Sequence, residues 1–218
     1  MSYSPIIKIC GVRTPEILEK TIEAGADMVG FVHFPRSPRH VDMDPLAELI
    51  SMTRGRIESV VLLVNPDNSK VAEIAALDPD WIQLHGPEAP HRVDAIRGDA
   101  GIPILKAIGI GGQEDLGKIG EYEEVCDRLL LDAKAPKNSE LPGGRGVAFD
   151  WDVLAGLDQD VTFMLSGGLT PENVGEALQK VRPHGIDVSS GVESASGVKD
   201  AALIAAFIAA ARAAATSL

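Results

Sequence analysis

TFMLSGGLTPENVGEALQKVRPHGIDVSSGV, residues 162–192, contains the unit from which the whole chain is built. It opens with a short β-rich run, TFMLSGG (162–168), and breaks at two glycines. The stretch TPENVGEALQKV then predicts a helix, with Thr170 as its cap and Pro171 in its first turn. A second β-rich run, IDVSSGV (186–192), follows. Strand, helix, strand is the unit of a parallel sheet.

The same alternation recurs on the N-terminal side of that stretch. The earlier β-rich runs are IIKICG (6–11), MVGFVHF (28–34), SVVLLV (59–64), WIQLHG (81–86), PILKAIGI (103–110) and RLLLDAK (128–134). Several are continuously apolar, as parallel strands covered on both faces require. TPEILEKTIEAGA predicts a helix capped by Thr14, with Pro15 in the first turn and Gly25 at the end. DPLAELISM repeats that start at Asp44 and Pro45. NSKVAEIAAL, HRVDAIR, EDLGKI and DWDVLAGL are shorter helical patterns, and AALIAAFIAAARAAA is a strong helix former. Eight strand–helix units and no second composition zone predict an α/β fold, a single (β/α)8 TIM barrel spanning 1–218, over a doubly wound open sheet. The one long glycine- and proline-rich loop is APKNSELPGGRG (135–146), after the sixth strand.

Composition narrows the function classes. The chain is 218 residues long and 45% hydrophobic, enough for a large core. No stretch is long and apolar enough to cross a bilayer. The start, MSYSPIIKICGV, lacks the basic region and apolar run of a secretory signal. Two cysteines, Cys10 and Cys126, are not the framework of a secreted mini-domain. A reduced cytoplasm is the expected location. A net charge of −12 repels nucleic acid and anionic membranes, so neither is an expected partner. An anionic ligand would need local basic groups.

In such barrels the chemistry sits where strands end and βα loops begin. The first strand ends in Lys8, Ile9 and Cys10, and alternation turns Lys8 and Cys10 the same way. A buried ammonium needs a partner or an anionic ligand, and it favours the thiolate of a neighbouring cysteine. The sixth strand ends in Asp132, either a structural ion pair, a cap on the following loop, or a general acid whose proton burial retains; Lys134 has the spacing of a partner. The seventh and eighth end in Ser166-Gly167-Gly168 and Ser189-Ser190-Gly191, at the two places where such barrels hold phosphate. PRSPRHV (35–41) places Arg36 and Arg39 in the loop after the second strand, where a guanidinium fork suits a carboxylate. His33, His85 and Asp132 all end strands, but no strong metal spacing such as HExxH is present. Cys126 reads as incidental, and Trp81 and Trp151 as packing residues.

In combination these stretches resemble one family. KICG, GFV followed by F and SPR, QLHG, LLDAK, LSGGL with PENV, and DVSSGVE are similar to phosphoribosylanthranilate isomerase from about Lys8 to Lys199. The resemblance implies a cofactor-free Amadori rearrangement of a phosphorylated small molecule in tryptophan biosynthesis; the absent metal spacing predicts no metal, and the sequence leaves monomer or homodimer open. It implies Cys10 as general base and Asp132 as general acid. It implies Arg39 as the reader of the anthranilate carboxylate, and Gly167, Gly168, Ser189, Ser190 and Gly191 as the phosphate loops. Lys8, Gln83 and His85 are further candidate substrate-binding residues. Two positions depart from the pattern: His33 stands where the family carries an aromatic, and Arg145 makes GGRG where the family has GGTG. Two other readings compete. A metal-dependent pentose-phosphate epimerase would use His33, His85 and Asp132. A catalytically silent phosphate-binding barrel would need neither Cys10 nor Asp132.

Overall fold

Residues 3–134, 150–157 and 160–218 are described by the structure, a computed structural model. Loop 135–146, with Arg145, lies outside them. Eight parallel strands close into a barrel in sequence order: β1 (Ile6–Cys10), β2 (Met28–Val32), β3 (Glu58–Leu63), β4 (Trp81–Leu84), β5 (Ile104–Ile110), β6 (Arg128–Ala133), β7 (Phe163–Leu165) and β8 (Gly185–Val188). β8 pairs back onto β1, with Lys8 opposite Asp187, and Cys10 stands opposite Gly30 of β2.

Side-chain alternation sorts the residues into two cores. Ile7, Ile9, Val29, Phe31, Leu129, Leu131 and Ile186 pack outward beneath the helices. Met28, Val60, Leu105, Ala107, Leu130 and Met164 fill the lower barrel interior, and Cys10, Val32 and Leu62 lie above them. The C-terminal mouth above these layers is where barrels of this kind carry their chemistry.

The helices cover the outer core. α1 (Pro15–Glu23) starts as the sequence predicts, with Thr14 Oγ1 accepting from Ile17 N–H. α2 (Met43–Thr53) starts earlier than expected: Asp42, not Asp44, is the cap residue. The first-turn N–H groups have no helical acceptor, so Pro45 fits within the turn as well as at its first position. α3 (Asn68–Ala75) and α4 (Pro90–Ala100) follow. EDLGKI forms mainly a 3-10 turn (Gln113–Lys118) before the short α5 (Ile119–Glu123), and DWDVLAGL forms another 3-10 turn (Trp151–Gly156) rather than an α-helix. α6 (Val174–Val181), by contrast, starts later than the Thr170 cap predicts. Asn173 Oδ1 accepts from Thr170 N–H at 2.8 Å, making a side-chain-closed turn before the helix. A hairpin the sequence did not reveal, β9 (Glu193–Ala195) and β10 (Val198–Lys199), separates β8 from α7 (Ala201–Thr216). Asp200 caps α7, which packs between α1 and α6.

The expected packing residues do pack. Trp151 is buried in the outer core, and Trp81 stacks under Arg128 at 4.6 Å while its Nε1 donates to Glu58; Cys126, which the sequence marked as incidental, is buried in the same outer core.

Candidate active site

Lys8 and Cys10 face into the barrel because Ile7 and Ile9 between and before them face out. The Lys8 ammonium is completely buried and donates to Asp187 Oδ1 at 2.7 Å. Ser166 Oγ donates to the other carboxylate oxygen at 3.2 Å. Burial alone would lower the Lys8 pKa, but the Asp187 charge reverses this and raises it, with help from Cys10.

The Cys10 thiol does not gain the net activation expected from the sequence. Burial pushes its pKa up, Lys8 pulls it down, and Asp187 pushes it up again; the net shift is upward. The lysine's charge is already shared with a carboxylate that alternation along the first strand could not reveal. Gly30 makes room for the pair: a Cβ there would stand 2.8 Å from Cys10 Sγ and 3.2 Å from Lys8 Nζ.

Asp132 is buried near the end of β6. Its Oδ1 accepts from Ala133 N–H at 2.9 Å, and its Oδ2 lies 3.1 Å from His85 Nε2. Gln83 Nε2 lies 3.4 Å from His85 Nδ1. The Gln83 amide and the Asp132 carboxyl group thus bracket the two ring nitrogens of His85. Gln83 Oε1 is buried and has no hydrogen-bond partner among the described residues. Lys134, expected as a partner of Asp132, turns instead to Asp115, with Nζ 2.7 Å from Oδ1 and 2.8 Å from Oδ2.

The loops after β7 and β8 meet. Gly167 and Gly168 both have left-handed backbones (φ 89° and 67°), and a Cβ on Gly167 would strike the Ala133 backbone after Asp132. A Cβ on Gly191 would strike the Leu169 carbonyl. Ser189, Ser190 and Gly191 therefore lie against the β7 loop at the same mouth.

The two arginines of PRSPRHV separate. Arg36 is exposed. Arg39 is buried, with Nε and Nη2 donating to Glu193 Oε1 and Oε2 at 2.7 and 2.8 Å. Lys199 Nζ lies 2.7 Å from Glu193 Oε1 and donates to the Ser189 carbonyl at 2.8 Å. Burial lowers the Lys199 pKa against the pull of Glu193; burial raises that of Glu193, but Arg39 and Lys199 outweigh it and lower it. His33 turns to the Val41 carbonyl at 2.9 Å and stacks obliquely on His40. Among the described residues no three His, Cys, Asp or Glu side chains gather as metal ligands.

Four functional or supporting groups escaped the sequence reading. Asp187 and Lys106 carried the same signal as Asp132 and Lys8, a charge inside an apolar strand. Lys106 forms a buried pair with Glu88 at 2.7 Å, and Glu88 accepts from Gly86 N–H, fixing the loop that carries His85. Glu193 and Lys199 lie in a hairpin that leaves no such periodic mark.

Comparison with known proteins decides the family. A family model described as N-(5'-phosphoribosyl)anthranilate (PRA) isomerase matches residues 7–210. The chain belongs to this isomerase family. The N-(5'-phosphoribosyl)anthranilate isomerase of Afipia carboxidovorans is 53% identical over 215 residues, covering 98% of this chain and 92% of the relative. The phosphoribosylanthranilate isomerase of Thermotoga maritima superposes with a TM-score of 0.87 at 33% identity, covering 96% of this chain and all of the other. A phosphoribosylanthranilate isomerase in complex with reduced 1-(o-carboxyphenylamino)-1-deoxyribulose 5-phosphate superposes with a TM-score of 0.84 at 32% identity, covering 96% of this chain and 100% of the other. The QLHG, LLDAK and DVSSGVE stretches of the PRA isomerase resemblance thus stand at β4, β6 and β8 of one barrel.

Proposed function

We propose that this isomerase performs an Amadori rearrangement with Cys10 as general base and Asp132 as general acid. It converts N-(5'-phosphoribosyl)anthranilate, an aminoaldose, to 1-(2-carboxyphenylamino)-1-deoxyribulose 5-phosphate, an aminoketose. The observation that carries this reading is that Cys10 on β1 and Asp132 on β6 face one barrel interior from separate sides. The reaction needs two such groups. Asp132 gives its proton to the furanose ring oxygen as the anthranilate nitrogen lone pair expels that oxygen from C1, opening the ring to an iminium. Cys10 as thiolate takes the proton from C2, and those electrons form an enolamine. The enolamine tautomerises to the ketone, so the atoms balance and no oxidant is used.

The surrounding groups supply position. His85 Nε2 lies 3.1 Å from Asp132 Oδ2 and Gln83 backs the other ring nitrogen, so the pair orients the carboxyl group. The unpaired Gln83 Oε1 offers an acceptor for a sugar hydroxyl. Lys8, balanced by Asp187, places a fixed positive charge beside the thiol. Gly167, Gly168, Ser189, Ser190 and Gly191 hold the 5-phosphate with backbone and hydroxyl donors. Arg39 Nη1 remains for the anthranilate carboxylate, because the other two guanidinium nitrogens are engaged by Glu193. The ligand of the related complex, a phosphorylated carboxyphenylamino sugar, carries two anionic ends, which supports assigning one end to each set of loops. A tryptophan auxotroph lacking the isomerase tests the activity: expression of this chain restores growth without tryptophan, and failure of well-expressed protein to do so contradicts it.

A further inference from the structure

The guanidinium of Arg39 is not free to adapt to a ligand. Glu193 grips it with both oxygens, and both side chains are nearly inaccessible to water. Glu193 is itself fixed from three sides. Lys199 Nζ lies 2.7 Å from its Oε1, Gly197 N–H donates to its Oε2 at 3.2 Å, and the hairpin that carries it is seated on the β2 loop. Arg13 Nη1 ties the two, donating to the Pro38 carbonyl at 3.1 Å and the Gly197 carbonyl at 3.4 Å. Gly11, directly after Cys10, lies under the same group: a Cβ there would stand 2.6 Å from Arg39 Cδ and 3.2 Å from Ser189 Oγ.

We infer that Glu193, held by the β9–β10 hairpin, is the positioning residue that sets the plane of Arg39 and so determines selectivity for a carboxylate-bearing substrate. This rests on the reading of Arg39 as the carboxylate reader. A bidentate pair fixes a guanidinium in plane as well as in place, leaving one defined edge for a second anion. Lys199 donates to the Ser189 carbonyl at 2.8 Å and lies 3.3 Å from its hydroxyl, so the same hairpin also braces the phosphate loop. A simpler role, in which Glu193 merely neutralises Arg39, predicts the opposite response to its removal. An unmasked arginine would bind a carboxylate more tightly.

The test uses anthranilate and its uncharged isostere 2-aminobenzamide as competitive inhibitors of the isomerase, with inorganic phosphate as a probe of the other end. The parent enzyme prefers anthranilate by roughly 10–100-fold, the worth of hydrogen bonds to a charged group, and Arg39→Met abolishes that preference. Glu193→Gln lowers the preference by about tenfold while inhibition by phosphate persists. Glu193→Asp, which keeps the charge but withdraws the fork, does the same and covers the case in which the glutamine variant does not fold. An unchanged or increased preference for anthranilate in a folded Glu193 variant overturns the inference. Absence of any preference in the parent, or its persistence in Arg39→Met, overturns the carboxylate-reading role of Arg39 on which the inference stands.

Discussion

A completely buried lysine is an expensive residue unless its partner is well placed, and removing one member of such a pair typically costs about 3–5 kcal/mol. Lys8 has that partner in Asp187, which in turn is held by Ser166. The consequence for Cys10 is that its strongest nearby cation is already spoken for, so burial wins and the thiol holds its proton above the usual thiol range. The thiolate is a minority form at neutral pH. This gives a direct expectation for a Cys126→Ser variant, in which Cys10 is the sole thiol. Thiolate absorbance, followed as pH rises, should reach its midpoint above the ordinary value of about 8.5. Lys8→Met should move it higher still, because the lowering influence is removed while the Asp187 charge is left. A midpoint at or below the ordinary value would contradict this electrostatic picture. Both Cys10 and Asp132 were legible as strand-end residues, from alternation and from the cost of a carboxylate after three leucines. Their roles came from resemblance, and the true partner of Lys8 was missed because it sits on β8, 179 residues away.

At the level of elements, the end of β6 is anchored from the preceding connection. Asp115, in the 3-10 turn after β5, accepts from Gly111 N–H and pairs with both Lys118 and Lys134. Burial alone would raise its pKa, but the bonds from Lys134 and Lys118 outweigh that and hold it at about 2. A carboxyl depressed in the folded state stabilises above its unfolded pKa of about 4 and loses that contribution as pH falls toward 2. Asp115→Asn should therefore cost roughly 1–2 kcal/mol at pH 7, discounted because both lysines are half exposed. Urea unfolding should show the gap to the parent closing between about pH 4 and pH 2; a gap independent of pH would contradict the ion-pair origin. Helix starts at Thr14 were legible because the cap bond is local. The starts of α2 and α6 were displaced because proline is accepted throughout a helix's first turn or in the turn before it, and Asn173 closes such a turn with its side chain.

The whole molecule is a closed sheet that gathers residues far apart in the chain at one mouth. Eight recurring apolar runs made that closure readable, since each run was long enough to mark a strand and each gap long enough to return. The hairpin of residues 193–199 was not readable: its strands are three and two residues long, and its importance comes from docking on the β2 loop. No helix among the described residues is long and apolar enough to cross a membrane. With a net charge of −12, the protein as a whole repels an anionic substrate, so the proposed site has to supply the attraction locally. The central claim is that this arrangement divides acid and base chemistry between Asp132 and Cys10. The most direct measurement is kcat and KM for Cys10→Ala and Asp132→Asn in a fluorescence assay of N-(5'-phosphoribosyl)anthranilate turnover. Each variant should lose about 10²–10⁴-fold in kcat while KM changes little, whereas turnover within tenfold of the parent enzyme by either variant would contradict the account.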